Sequence, residues 1–288
     1  MPLVFVPTPL GNLGDVTQRA IEALRDAELI VAEDTRVARK LLGALGIPGR
    51  ELWSYREQNA AGATPGILDR ARAGLVAVTT DAGMPGVSDP GSELIAAARA
   101  AGVPVEVLPG PSAALGVAVL SGFPLRRFVF EGFPPRSSAA RRSAFREALR
   151  AGATTLWFES PQRLHETLRD LETVAPDALI FLVREYTKLH EQQALGTPAE
   201  VAAAVVKPVR GEVAFAIAPQ GERPEAEPVG AADADIDALL AEGLKLSEVA
   251  RQLAKRGLGD RRELYARAKG RRGRTTPGKG DADSAEET

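Results

Sequence analysis

A chain of 288 residues that is 44% hydrophobic and 26% charged has enough apolar surface for two folded domains and an appendage, and its net charge of −2 gives no bulk attraction to a polyanion. The lack of any cysteine excludes disulfides, thiolate metal sites and thiol nucleophiles. No stretch approaches the roughly 20 apolar residues of a membrane span. The start, Met1-Pro2-Leu3-Val4-Phe5-Val6-Pro7, lacks the basic region and apolar length of a secretion signal, so a cytoplasmic protein is expected.

From the amino end, short β-branched runs alternate with Ala- and Leu-rich stretches of helical spacing. Residues 3–6, 29–32, 75–79 and 103–108 read as buried strands, and 17–25, 35–45 and 93–101 as the helices between them. This alternation predicts βαβ units and a mainly parallel sheet. The pairs Thr64-Pro65, Asp89-Pro90, Ser160-Pro161 and Thr197-Pro198 each place a capping oxygen before a proline suited to the first helical turn, and Glu200 completes a capping box with Thr197. A second strand series occupies 127–132, 155–158, 179–183 and 213–218. Residues 220–232 read as a linker. Beyond it, 234–241, 247–255 and 260–268 read as short helices around a glycine turn at 256–259, a helix-turn-helix pattern. From residue 270 the composition predicts disorder. The expected division is therefore 1–122, 123–219, linker 220–232, helical module 233–269 and tail 270–288.

Charge is unevenly spread. Residues 245–274 hold eleven Lys/Arg against three acidic residues, a net of +8, and residues 136–150 hold five Arg against Glu147, a net of +4. Local patches of this kind attract nucleic-acid phosphates.

Several chemistries are absent. No Gly-x-Gly-x-x-Gly occurs, and His165-Glu166 and His190-Glu191 lack a second histidine at zinc-protease spacing, so no metal is expected. Ser112 resembles a hydrolase nucleophile, but Ala114 stands where the elbow needs glycine. What remains is a set of three Gly/Pro-rich junctions after strands. They are Pro7-Thr8-Pro9-Leu10-Gly11-Asn12-Leu13-Gly14-Asp15, then Thr80-Asp81-Ala82-Gly83-Met84-Pro85-Gly86-Val87-Ser88-Asp89-Pro90-Gly91, and Leu108-Pro109-Gly110-Pro111-Ser112-Ala113. All three fall at the carboxyl edge of the sheet, where open α/β folds bind ligands. Asp89 reads there as a helix cap rather than a contact.

These junctions, with Ala32-Glu33-Asp34-Thr35-Arg36, Glu131-Gly132-Phe133-Pro134-Pro135, Phe158-Glu159-Ser160-Pro161-Gln162-Arg163, Arg184-Glu185-Tyr186-Thr187-Lys188-Leu189-His190-Glu191 and Gly211-Glu212-Val213, resemble the ribosomal RNA small-subunit methyltransferase I family of the tetrapyrrole methylase-like superfamily. The similarity covers about residues 3–218, and Gln162 departs from the family's histidine. The resemblance implies a tandem two-domain α/β fold with a cofactor cleft between domains, plus a small C-terminal all-α helix-turn-helix module. It implies S-adenosyl-L-methionine as cofactor, a cytidine 2′-oxygen of 16S ribosomal RNA, free or in the small subunit, as acceptor, and a homodimer. Pro9, Leu10, Asp81, Ala82, Gly83, Ser88, Ser112 and Ala113 would hold the methionine and ribose portions, with Phe158 and Ala214 beside the adenine. A weakly nucleophilic hydroxyl calls for a base, and the candidates are Glu33, Asp34, Asp81, Glu185 and Lys188, although Glu33-Asp34-Thr35-Arg36 also fits a helix cap. Arg36, Arg136, Arg141, Arg142 and Arg163 are the candidate RNA contacts. Two other readings are a methyltransferase of this fold acting on a tetrapyrrole, which needs no basic patch, and a nucleic-acid-binding regulator with a degenerate core, at odds with the intact loops.

Overall fold

The computed structural model describes residues 2–205, 207–220, 231–255 and 261–272. The chain forms two compact units, Met1–Gly221 and Glu222–Thr288. In the first unit, β1 (Leu3–Phe5), β2 (Leu29–Ala32), β3 (Glu51–Ser54), β4 (Val76–Thr79) and β5 (Val105–Val107) form an all-parallel sheet in the order β3-β2-β4-β1-β5. The apolar runs of β1, β2 and β4 are unbroken because both faces are covered, whereas the edge strands β3 and β5 are partly exposed, β5 in contrast to the buried strand expected there. Leu3, Phe5, Leu29, Val31, Val76 and Val78 pack with Ile67 of α3 (Ala60–Ala73) and Leu94 of α4 (Ser92–Ala100). The alternate positions Val4, Ile30 and Ala77 pack with Leu24 of α1 (Gln18–Asp26) and Leu42 of α2 (Thr35–Ala44).

Two elements here escape the sequence pattern. Strand β3 is a sheet edge whose Glu51-Leu52-Trp53-Ser54 is mostly half-exposed and lacks a clean apolar alternation. Helix α3 begins at Ala60, so Thr64-Pro65 lies inside it; the Thr64 hydroxyl donates to the Ala60 carbonyl at 2.7 Å instead of capping. Asp89 and Ser160 do not cap either. The N-cap of α4 is Gly91, and α7 (Leu164–Val174) starts after a turn in which the Ser160 carbonyl accepts from the Arg163 and Leu164 N–H groups. Thr197 does cap α8 (Pro198–Ala204), with the full capping box to Glu200.

The second sheet joins β6 (Phe128–Gly132), β7 (Thr154–Glu159), β8 (Ile180–Arg184), β9 (Gln192–Gly196) and β10 (Val213–Ile217) in the order β6-β7-β10-β8-β9. Only β6–β7 is parallel among its neighbouring pairs, so the expectation of a mainly parallel sheet fails in this half. The cause is local. The short 185–191 connection can return the chain only as a hairpin, which makes β9 antiparallel to β8. One face packs on α6 (Ser138–Arg150), α7 and α8 through Phe145, Trp157, Leu168, Val201 and Phe215. The other face receives α5 (Ala113–Leu120), whose Val117 and Ala118 meet Leu156, Phe181, Val183 and Ala216. Helix α5, which precedes the boundary expected at 122, thus belongs to the core of the second sheet.

The second unit contains α9 (Ala231–Ala241), α10 (Leu246–Lys255) and α11 (Arg261–Arg272) around Ile236, Leu239, Val249, Leu253, Leu264 and Ala268. Helix α11 continues through Gly270 to Arg272, past the point where composition predicts disorder, and the Arg271 guanidinium donates to Asp237 of α9. Residues 221–230 of the expected linker 220–232, the turn at 256–259 and residues 273–288 of the expected tail 270–288 lie outside the described residues, and residues 231–232 of that linker already belong to α9.

Candidate active site

Strand β1 lies between β4 and β5, so the loops that follow these three strands share one sheet edge. The first two are pinned together by Thr8 and Gly83, whose N–H and carbonyl groups exchange hydrogen bonds of 2.9 and 3.0 Å. Gly83 has φ +83°, and a side chain there would start 3.0 Å from the Leu10 side chain, which is why glycine occupies the position. In the third loop, the Ser112 hydroxyl caps α5 by accepting the Leu115 N–H. Among the described residues, the non-glycines at positive φ are Ser88, Glu185 and Thr187, all in loops at this edge or facing it. Backbone strain of about 1–3 kcal/mol per residue gathers where structure is held for function.

Between these loops and the second sheet lies a cavity of about 350 Å³. Of the expected cofactor residues, Leu10, Ala82, Gly83, Ser88, Ser112, Ala113, Phe158 and Ala214 line it; Pro9 and Asp81 do not. Phe158 is steadied edge-on by Phe130 and Phe133, with ring centroids 5.0 and 5.7 Å away. The wall also includes Met84, Val87, Asp89, Tyr186 and Glu212, which the sequence reading did not single out as contacts. The only available signal was their position within the quoted loops.

The carboxylates around this edge divide into paired and unpaired groups. Asp34 accepts from Arg36, lies 3.3 Å from Arg56 and caps α2, and the Arg36 hydrogen bonds hold its pKa far below the usual carboxylate range. Glu185 is kept low by the Lys188 ammonium, which donates to Glu185 at 2.8 Å and to Glu212 at 2.9 Å. Burial works against the Lys188 charge, but these two hydrogen bonds outweigh it and raise its pKa. Glu33 accepts the Thr80 hydroxyl at 3.0 Å, and the Asp34 N–H donates to Asp81 at 3.1 Å. Asp81 is pushed up by desolvation and by Glu33. Asp89 rises to about 6, through desolvation first and then the fields of Glu33, Asp81 and Glu212. Of the candidate bases, none lines the cavity; Asp89 does. Lys188 instead braces the site. A side chain at Gly11 would start 2.1 Å from the Lys188 stem, so Gly11 exists to let the first loop meet the 185–191 loop.

The arginines expected to touch RNA also divide. Arg36, Arg136 and Arg142 reach the surface to different extents, although Arg142 also donates to Asp170 at 3.0 Å. Arg141 is 2% exposed, and its guanidinium is held by Asp170 and by the Arg136 carbonyl. Arg163 donates to Glu159, whose side chain is fully buried, and to the Pro134 carbonyl. Burial makes Arg141 a structural brace between α6 and α7, which corrects its assignment as an RNA contact, while Arg163 pairs with Glu159 and stays partly exposed. Among the described residues no His/Cys/Asp/Glu cluster is placed to hold a metal ion, and no helix is long and apolar enough to cross a membrane.

The two-sheet unit with its cavity is the fold of the tetrapyrrole methylase class. The family model for tetrapyrrole (corrin/porphyrin) methylases matches residues 2–202. Diphthine synthase shares the fold at a TM-score of 0.60 and 17% identity, over 76% of this chain and 90% of that one. Uroporphyrin-III C-methyl transferase from Thermus thermophilus, solved with S-adenyl homocysteine, does so at 0.54 and 21%, over 75% and 97%. Sequence similarity is closer to proteins named ribosomal RNA small subunit methyltransferase I. The one from Synechocystis is 38% identical, over 91% of this chain and 95% of its own length. That from Thermotoga maritima is 42% identical, over 66% and 85%. The chain belongs to the ribosomal RNA small subunit methyltransferase I family.

Proposed function

We propose that the protein transfers a methyl group from S-adenosylmethionine to the 2′-oxygen of a cytidine in 16S ribosomal RNA, presented as free RNA or in the small subunit, in the cytoplasm. The observation that carries this reading is the cavity itself. Its apolar wall of Leu10, Phe158, Val183 and Ala214 suits an adenine ring, and the carboxylate of Asp89 on the same wall suits a ligand bearing positive charge. Ser112 and Ala113, at the amino end of α5, present N–H groups to a carboxylate.

S-adenosylmethionine supplies a methyl group already activated on sulfur, so the protein contributes mainly orientation. Pinned loops that fix the ligand beside its acceptor account for on the order of 7–11 kcal/mol at best. The acceptor hydroxyl must also give up its proton. Asp34 and Glu185 are held as anions by their cationic partners and are poor bases. Asp81 and Asp89, both raised by desolvation, are the better candidates. Exposed Arg36 and Arg136, with Arg142, and the basic helices α10 and α11 would bind RNA phosphates. A homodimer belongs to this reading, supported by exposed Leu115 and Val119 one turn apart on α5.

The test is transfer of labelled methyl from S-adenosylmethionine to small subunits of a strain lacking the protein, followed by alkaline hydrolysis and nuclease mapping. A single alkali-resistant linkage at a cytidine is expected. Label on a base, or none on the RNA, overturns the reading.

A further inference from the structure

Helix α6 segregates its charge. Arg141, Phe145 and Ala148 form its buried face, and Arg142, Arg146 and Arg150 follow one another down one flank of that face. Glu147, the one acid of the helix, lies on the opposite flank. There it meets Glu131 of β6, whose pKa is raised by desolvation first and then by the field of Glu147. Arg146 and Arg150 are exposed, and neither guanidinium has a hydrogen bond or ion pair among the described residues. Arg142 donates to Ser138 and Asp170, and its side chain is still 35% exposed. Side chains four positions apart on a helix stand about 6 Å from one another, and like charges at that spacing repel. The row therefore works against the free helix, and a polyanion laid along it removes the repulsion. Neighbouring α7 has no such row, because its exposed Arg169 is accompanied by exposed Glu166 and Glu172.

The row leads to the cavity. Strand β6 ends at Gly132, and the next residue, Phe133, lines the cavity yet is 54% exposed. The connection from this lip to α6 is fixed at both ends. The Arg163 guanidinium donates to the Pro134 carbonyl at 2.9 Å, and the Ser137 hydroxyl caps α6 by accepting the Ala140 N–H. Arg136 is exposed on the same connection. Arg142 is then the rung nearest the cavity, and Arg150 lies about 12 Å further along the helix axis.

We infer that this flank of α6 is the track along which the RNA strand enters the site. Arg142, Arg146 and Arg150 hold phosphates beside the acceptor nucleotide, and the Phe133 ring stacks on a base at the lip of the cavity. A basic row that ends in an exposed ring is the arrangement that takes a single strand, the row following the backbone and the ring accepting any base. A target nucleotide splayed out of folded RNA presents such a strand. The inference rests on the proposed reaction and adds to it the side from which RNA approaches.

The experiment uses the full chain, a protein-free fragment of 16S ribosomal RNA and small subunits. The double variant Arg146→Gln, Arg150→Gln removes two phosphate contacts from an exposed face, so melting temperature and S-adenosylmethionine affinity should not change. Its slope of log affinity against log salt should fall by about 1.4, so that the loss of affinity between 50 and 200 mM salt shrinks about sevenfold. The defect in methyl transfer should lie in KM for RNA rather than in kcat. Phe133→Leu should weaken RNA binding severalfold at every salt concentration without changing the slope. Because the chain has no cysteine, Ser143→Cys, exposed on α6 one turn from Arg146, offers a unique anchor for a tethered iron–EDTA reagent. That reagent should cut the RNA in one stretch adjoining the methylated cytidine. An unchanged salt slope in the double variant, with no tethered cuts, overturns the inference alone when the wild-type protein methylates the mapped cytidine. Impaired transfer to subunits with unchanged binding of protein-free RNA also overturns it, because the row then meets a protein of the subunit. Failure of the wild-type protein to methylate RNA in either form overturns the proposed reaction and the inference together.

Discussion

Charge is handled in opposite ways on the two sheets. On the second, Arg141 and Asp170 are buried together with Ser138 and Arg142 closing the network, and Arg163 neutralises fully buried Glu159. Desolvation alone would raise Asp170, but its hydrogen bonds from Ser138 and Arg141 bring it below the usual range. At the edge of the first sheet, Asp89 faces a cavity with no cation paired to it among the described residues, and its neighbours are themselves acidic. A charge whose partner is built in maintains the fold. A charge held against its own solvation beside a cavity is reserved for a ligand, and that distinction separates brace from site in this molecule.

The sharpest way to break the comparison is at the brace. Arg141→Met leaves Asp170 buried with only part of its network, and should cost about 3 kcal/mol of unfolding free energy, toward the lower end for a broken buried pair because Arg142 and Ser138 remain. Urea denaturation measures it. The double variant Arg141→Met, Asp170→Leu should recover most of the loss. At equal folded fraction, RNA affinity should not change; a drop there would return Arg141 to the list of RNA contacts.

Asp89 tests the other side. Its pKa in the fold, about 6, lies above the ordinary 3.8, so the fold prefers the protonated form. That preference is fully expressed below about pH 4 and is lost as pH rises through 6, so at pH 7 and above the ionised group destabilises the free protein. Asp89→Asn should therefore melt higher than the wild-type protein at pH 7.5, with the gap closing toward pH 4. A cationic ligand reverses the sign, because it binds better to the ionised carboxylate. Affinity for S-adenosylmethionine should fall by up to about tenfold per pH unit below 6 in the wild-type protein, and this slope should flatten in Asp89→Asn. Parallel slopes in calorimetry would show that Asp89 does not sense the ligand.

The same contrast explains what was legible in the sequence. The β1, β2 and β4 strands are unbroken apolar runs followed by Gly/Pro loops, so both the sheet and the ligand edge could be read directly. Gly83 and Ser112, expected from the family resemblance, line the cavity, and the structure gives each a local role, a positive φ and a helix cap. Arg141 was misread because its partnership is a tertiary fact: Asp170 lies a helix away, and nothing local distinguishes a buried arginine from a solvated one. Asp89 was misread for the converse reason. Its proline neighbour suggested a cap, but the chain turns at Gly91 first. The antiparallel second sheet was hidden because β9, Gln192-Gln193-Ala194-Leu195-Gly196, is an edge strand with little apolar signal.

The smallest expected effect concerns the helical unit, where Arg271 is paired with Asp237 but Lys269 is exposed. On α11, Leu264 and Ala268 face the core while Tyr265 and Lys269, one turn apart, are exposed on the same side. An aromatic ring beside an ammonium is the pairing that single-stranded RNA uses, the ring stacking on a base and the charge meeting a phosphate. If Lys269 makes one such contact, Lys269→Gln should lower the slope of log affinity against log salt by about 0.7, so that the loss of RNA affinity between 50 and 200 mM salt shrinks by about two- to threefold. Tyr265→Ala should instead weaken binding at every salt concentration without changing the slope. The opposing view is that this face is merely solvated. It predicts superimposable salt titrations for the wild-type protein and both variants, and fluorescence anisotropy with a labelled fragment of 16S ribosomal RNA separates the two.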